Sequence, residues 1–198
     1  MNLSRLILFC ITIITLSSLV GCGNQSPNKT ETVSEEIGKV ITPVEDLHLE
    51  PIDFMTVVTH HQSELYTALE ENSKVEKNQK TLAYEGALFK ILQTSNSGKY
   101  GGAKRLINRY FEQYPEDPRL EFQMGMQLFR LGRFDQAVPY FIKLNTHKSK
   151  SLKEASQFFL TAAYSGIDTQ KSSALLYDIA ADKNHSFSAR AQAIIETK

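Results

Sequence analysis

The chain has 198 residues, which is enough for one domain with extensions at its ends. With 41% hydrophobic and 22% charged residues, its composition is that of a soluble globular protein. The 22 Lys and Arg residues balance the 22 Asp and Glu residues, so the formal net charge is zero. This balance argues against nucleic acid as a partner, because phosphate binding needs an excess of basic residues on one face.

The N-terminus has the pattern of a secretory signal peptide. Residues 1–5 form a short basic segment, and residues 6–20 form an apolar run that is short for a transmembrane helix. We therefore predict that residues 1–21 are a signal peptide that does not belong to the folded domain.

The residues Leu19, Val20, Gly21 and Cys22 complete this pattern. The stretch LVGC resembles a bacterial lipobox, in which the cysteine receives diacylglycerol and becomes the new N-terminus. The resemblance implies a lipid anchor on Cys22 and a place in the bacterial cell envelope. In a Gram-negative organism this is the periplasmic face of the outer membrane, and in a Gram-positive one it is the outer face of the plasma membrane. The alternatives are an uncleaved anchor or a secretory signal with a chance cysteine.

The two cysteines bound the chemistry of the mature chain. Cys10 lies in the signal peptide and Cys22 would carry lipid, so no disulfide or thiolate metal site is expected. Residues 22–50 are polar and contain few large apolar side chains, which predicts a flexible tether. A small strand around GKVITPV (residues 38–44) is the weaker alternative.

From residue 51 onward the apolar spacing is helical. Phe54, Val58, His61, Leu65 and Leu69 recur at three and four residues and form one stripe. The same reading predicts an all-α domain over residues 51–198. Its helices are expected at 51–71, 80–94, from about 101 to the YPEDP stretch, 119–131, 135–146, 152–165, 172–183 and 187–197.

An internal repeat runs through this region with a spacing of 34 residues. It relates Gly98, Gly132 and Gly166, and the same spacing holds for three further sets: Tyr100 and Phe134; Ala103 and Ala137; Ile107, Phe141 and Leu175. Two helices within a period of 34 residues resemble the tetratricopeptide repeat (TPR), most clearly over residues 118–149. The resemblance implies a right-handed α-solenoid of helical hairpins whose first and last helices act as caps. A generic array of helical hairpins is the alternative.

The second and third repeat units depart from the family pattern. Glu121 stands where the family has an early tryptophan, and Lys171 stands at the crossing alanine of the third unit. A one-residue insertion in the turn would return Ser172, Leu176 and Ile179 to core positions.

The stretch GRFDQA (residues 132–137) could suggest a phosphate loop. It lacks the glycine–lysine–hydroxyl ending of such loops, and no predicted strand precedes it. Gly132 suits a helix C-terminus, where a positive φ is often needed, and Asp135 could cap the following helix. A turn between two helices is therefore the better interpretation.

His60, His61 and Glu64 could form a metal-binding corner on the first helix. However, the HExxH spacing is missing and His61 lies on the apolar stripe, so a partly buried structural histidine is favoured. No serine lies in a G-x-S-x-G motif. We therefore expect no catalysis and no cofactor, with an envelope enzyme or metal-binding lipoprotein as the alternative.

The resemblance to TPR proteins implies a concave peptide groove. Carried over by position, its candidate residues are Arg119, Phe122, Met126, Phe129, Arg130, Leu160 and Tyr164, with Leu88 and Leu92 from the first unit. The implied function is a membrane-anchored scaffold or adaptor for protein–protein interaction, of the type used in envelope, pilus or secretion assembly. The protein or peptide partner is not identified. Alternatively, Phe122 and Met126 pack beneath the first helix and are not available to a ligand.

Overall fold

The computed structural model describes residues 47–72 and 79–198, and all regular structure in those ranges is helical. This confirms the predicted all-α class for the described part of the chain. The eight helices are α1 (Pro51–Asn72), α2 (Gln79–Asn96), α3 (Tyr100–Phe111), α4 (Pro118–Arg130), α5 (Phe134–Leu144), α6 (Lys150–Ser165), α7 (Thr169–Ala181) and α8 (Ser188–Glu196).

The predicted signal peptide, Cys22 and most of the predicted tether lie outside the described residues. Residues 47–50, which were assigned to the end of the tether, pack against the helices. Leu49 is fully buried, and the Ser173 hydroxyl donates a hydrogen bond to the carbonyl of Leu47 over 3.0 Å. The packed part of the chain therefore includes four residues before α1.

Each helix packs against the next one along the chain, from α1 to α8. α4 lies innermost, because every residue from 120 to 129 is buried. The predicted small residues Ala103 and Ala137 are both fully buried, which allows neighbouring helices to approach closely. Gly125 has the same role, since a Cβ at this position would lie 2.8 Å from the Phe141 ring.

Two of the three repeated glycines end a helix in the left-handed conformation. Gly132 has φ +69°, as predicted for this turn, and Gly98 has φ +76°. Gly166 has an ordinary negative φ. It must be small for a different reason, because an added Cβ would lie 2.2 Å from the Phe134 ring.

The starts of α5 and α7 differ from the predicted ones in how they are capped. Asp135 does not cap α5: the helix begins at Phe134, so Asp135 lies in its first turn. α7 begins three residues earlier than predicted because Asp168 caps it, accepting a hydrogen bond from the Lys171 backbone N–H over 3.1 Å.

The burial pattern of α7 confirms the three core positions expected in the third unit, although the turn before α7 has three residues, like the turn before α5, and contains no insertion. Ser172 and Leu176 are fully buried, and Ile179 is 5% exposed. Leu175, which a strict spacing of 34 would place in the core, is only half-buried. The core face of α7 is thus displaced by one position from that of α5.

α1 does more than cap one end of the array. It packs on α2, but it also contacts α6 and α8. The Phe54 and Phe158 rings lie 5.8 Å apart, and the Gln62 amide donates to the Gln123 carbonyl oxygen over 3.2 Å. α1 therefore covers the side of α4 and α6 where an open groove was predicted. α8 packs on α7, as expected of a C-terminal cap.

Candidate binding cavity beneath the first helix

The two halves of α1 differ in how closely they pack. Phe54 and Val58 are fully buried, whereas Leu65 and Leu69 are only half-buried. Beneath this second half lies a cavity of about 430 Å³, a size typical of small-molecule sites. Four helices and the segment before α6 line it: His61, Leu65, Ala68 and Leu69 from α1, Leu88 and Leu92 from α2, Pro118, Arg119, Phe122 and Gln123 from α4, and His147, Ser149, Ser151, Leu152 and Ala155.

The wall of the cavity is mostly apolar, and its polar groups lie largely at the mouth. Leu88, Leu92 and Phe122 are all less than 5% exposed and form the inner wall. Ala68 and Arg119 are exposed, so this edge of the cavity opens to solvent. An apolar interior with a few polar groups at the edge is the usual form of a ligand pocket.

No carboxylate is found among the lining residues, and Arg119 is the one charged side chain in this set. Its guanidinium lies 4.4 Å from the centroid of the Tyr84 ring, which holds it by a cation–π contact. Its Nε lies 3.8 Å from Asp117 Oδ1, and Asp117 is occupied in capping α4. The side chain of Arg119 remains more than half exposed and is able to meet an anion.

His61 joins the cavity to the aromatic core. Its ring lies 5.2 Å from Phe159, 5.7 Å from Phe187 and 5.8 Å from Phe122. Burial lowers the pKa of His61 from 6.5 to about 4, although Glu64 acts in the opposite direction. The imidazole is therefore neutral at pH 7.

The opposite edge of the cavity is formed by the start of α6. His147 Nδ1 accepts a hydrogen bond from the Ser149 backbone N–H over 3.1 Å, so a neutral His147 carries its proton on Nε2. Ser149 is the N-cap residue of α6, but its hydroxyl pairs with Ser151 at 3.1 Å instead of capping the helix. The first turn of α6 contains no acidic residue, so its positive dipole end is not neutralised there.

The structure does not gather the seven predicted groove residues on one open surface. Arg119 and Phe122 line the cavity, but Met126 is fully buried and Phe129 is 2% exposed, with its ring 5.4 Å from Phe134. The remaining three are spread over α4 and α6. Arg130 is half-buried over the Tyr100 ring, Leu160 is 4% exposed, and Tyr164 is half-buried beside Lys171.

A buried polar cluster between α2 and α4 was not predicted from the sequence. The Ser95 hydroxyl donates to the side-chain oxygen Oε1 of Gln127 over 2.9 Å, and Arg130 Nη1 donates to the Ser95 hydroxyl over 3.4 Å. Burial lowers the pKa of Arg130 below its usual value. These polar residues interrupt the apolar pattern of the inner helices, and this interruption is the feature of the sequence from which the cluster could have been predicted.

The metal-corner hypothesis concerns three side chains that do lie near one another. His60 Nε2 is 3.1 Å from Glu64 Oε1, and His61 Nδ1 is 3.8 Å from Glu64 Oε2. Glu64 is also bound by Arg190, and the His61 ring lies against three phenylalanines. Across the described ranges, no group of three or more His, Cys, Asp and Glu side chains is arranged to hold a metal ion.

Comparisons with protein-family models, with curated proteins and with solved structures found no match to this chain. Within residues 47–72 and 79–198, no helix combines the length and the apolar character that crossing a bilayer requires. Function is therefore inferred from the residues and their arrangement.

Proposed function

We propose that this chain is a lipid-anchored adaptor of the bacterial envelope that binds another protein through a TPR-like array. The spacing of 34 residues between Gly98, Gly132 and Gly166 supports the repeat, as does the packing of each helix from α2 to α7 on the next. The LVGC stretch supports an anchor on Cys22.

The residues that form the cavity wall are the main support for a binding role. Leu88, Leu92, Arg119 and Phe122 come from two repeat units, and all four are groove positions of the TPR family by resemblance. α1 fills the rest of the inner face and leaves this part open. A partner protein would contact the cavity mouth, where exposed polar groups surround an apolar depression.

We expect photocrosslinking at the cavity mouth to capture one envelope protein. A benzoylphenylalanine residue is placed at Arg119, because Met126 and Phe129 are too deeply buried to reach a partner. Cells are irradiated, the envelope is solubilised, and adducts are separated by electrophoresis and identified by mass spectrometry. The expected result is one discrete protein adduct.

The matched control carries the same residue at Ala174, an exposed position of α7 that does not line the cavity. The Arg119 adduct should be missing from this control. The same adduct pattern at both positions, or crosslinks to lipid only, would contradict a protein-binding role for the cavity mouth.

Replacing Cys22 by serine is expected to abolish lipid attachment and leave the helical domain folded, because only the thiol can accept the lipid. Labelling of cells with an alkyne-tagged fatty acid measures the first effect, and circular dichroism of the purified protein measures the second. Cys10→Ser is the matched control and should keep its label, since Cys10 lies within the predicted signal peptide. Lipid labelling that persists in Cys22→Ser would show that the lipobox interpretation is wrong.

A further inference from the structure

The cavity beneath α1 combines an apolar interior with basic side chains, which a site for a purely apolar ligand would not need. Its interior is formed by leucine, alanine and phenylalanine side chains, and its lining residues include a guanidinium, two imidazoles and no carboxylate. Two of these basic groups lie on different elements: Arg119 on α4, and His147 just before α6. A ligand that matches both parts has an apolar body and an anionic head.

We propose that this cavity binds a medium-chain carboxylate, with its alkyl chain beneath α1 and its carboxylate at Arg119. This small-molecule site goes beyond the proposed protein binding, and it stands whether or not a protein partner touches the mouth.

The volume of the cavity limits the size of the ligand. At about 430 Å³ it lies in the range of about 300–1,000 Å³ that small-molecule sites occupy, and we take dodecanoate as the test ligand of the medium-chain class. Leu65 and Leu69 would cover one side of such a chain, and Leu88 and Leu92 the other. The half-buried state of Leu65 and Leu69 means that the ligand would complete a face that α1 alone leaves loosely packed.

Arg119 supplies the donors for the carboxylate. Its side chain is more than half exposed, and Asp117 Oδ1 lies 3.8 Å from its Nε. On the opposite edge of the cavity, a neutral His147 carries its proton on Nε2, beside the hydroxyls of Ser149 and Ser151. The uncapped start of α6 adds a favourable potential for an anion, because its first turn contains no acid.

The test measures binding of dodecanoate to the full chain in phospholipid nanodiscs. The chain contains no tryptophan, so Thr146→Trp places a unique fluorophore at an exposed position next to His147, outside the lining of the cavity. The free concentration of dodecanoate is fixed by dialysis. Its binding should change the fluorescence until the site is saturated, with one ligand bound per chain. Dodecyltrimethylammonium has the same tail with a cationic head, and it should bind at least roughly tenfold more weakly.

Two pairs of substitutions, each made in the tryptophan variant, test where the carboxylate and the alkyl chain of dodecanoate bind. Arg119→Gln should weaken dodecanoate binding roughly tenfold or more, whereas Arg109→Gln, at an exposed position outside the cavity, should leave it unchanged. Ala68→Phe should obstruct the chain, whereas Ala83→Phe, on the exposed side of α2, should not. Ala68 and Arg119 are exposed, so both variants should keep the wild-type circular dichroism spectrum.

Each alternative outcome overturns the proposal. Equal affinity for the two head groups, or unchanged binding in Arg119→Gln, would mean that no anion site exists. Unchanged binding in Ala68→Phe would place the ligand elsewhere, and a response that never saturates would show partition into lipid. None of these results would decide whether a protein is crosslinked at Arg119, so the two proposals fail separately.

Discussion

Replacing Phe159 by alanine is expected to lower the free energy of unfolding by about 3–5 kcal/mol. Phe159 is fully buried in α6, where its ring contacts the elements on three sides. It lies 5.2 Å from His61 of α1, 5.7 Å from Phe122 of α4 and 5.9 Å from Phe187 at the start of α8. Truncation therefore leaves a cavity shared by four elements, which cannot all close on it at once.

This magnitude is large relative to the total stability of a small domain, which is on the order of 5–15 kcal/mol. No disulfide is expected to compensate for this loss of stability, because neither Cys10 nor Cys22 lies in the helical domain. Urea denaturation followed by circular dichroism gives the change in the free energy of unfolding, provided that the denaturant slope is unchanged.

Phe89→Ala is the matched control for Phe159→Ala. Phe89 is half-buried on α2 and stacks on Tyr66 of α1, with ring centroids 4.9 Å apart. Its loss should cost about 1 kcal/mol, because solvent fills the space that the ring leaves. If both variants lost the same stability, the aromatic cluster around Phe159 would not be the centre of the core.

The second large effect is a loss of stability in acid that depends on His61. Burial lowers the pKa of His61 to about 4 in the folded protein, against 6.5 for an unperturbed histidine. Between these two values the unfolded chain binds a proton that the folded chain excludes. The stability due to neutral His61 is therefore fully present above pH 6.5, and it is lost as the pH falls towards 4.

The gap between pKa values of 6.5 and about 4 corresponds to about 3 kcal/mol of unfolding free energy. Burial also lowers the pKa of His185. Burial opposes ionisation of Glu154, but hydrogen bonds from Ser186 outweigh it and lower the pKa of that carboxyl. Both groups destabilise the folded state in acid in the same direction, so the contribution of His61 must be measured as a difference.

His61→Leu isolates that difference because leucine is similar in size and does not titrate. We expect its unfolding free energy at pH 7 to lie within about 1.5 kcal/mol of the wild type. Its loss on going to pH 4 should be about 3 kcal/mol smaller than the wild-type loss. His60 stays unchanged in both proteins, because its charge is one of the causes that lower the pKa of His61. An unchanged pH dependence in His61→Leu would show that His61 titrates normally.

The sequence predicted the helices well because their signals are local. The YPEDP stretch contains Asp117, the actual N-cap of α4, and Gly132 adopts the positive φ predicted for its turn. The predicted start of α7 was wrong because it was read from the apolar pattern. The N-cap of this helix is Asp168, which is not part of that pattern.

Less of the candidate site than of the helices could be predicted from the sequence. Leu88, Leu92, Arg119 and Phe122 were found by repeat position, but His147, Ser149 and Ala155 belong to no periodic groove pattern. They lie near Arg119 and Phe122 because α6 packs directly on α4. The buried pair Gln62 and Gln123 is a similar case, since each glutamine by itself is typical of an exposed helix face.

Local patterns in the sequence determined the number, order and approximate bounds of the helices, because apolar spacing, caps and turn glycines act within a few residues. From the same kind of local pattern we predict a signal peptide and lipid attachment at Cys22. Only the tertiary structure decided where α1 lies, since its stripe fits any apolar surface of similar width. Packing on α6 and α8 buries Phe54 and Val58 and leaves a cavity beneath Leu65 and Leu69.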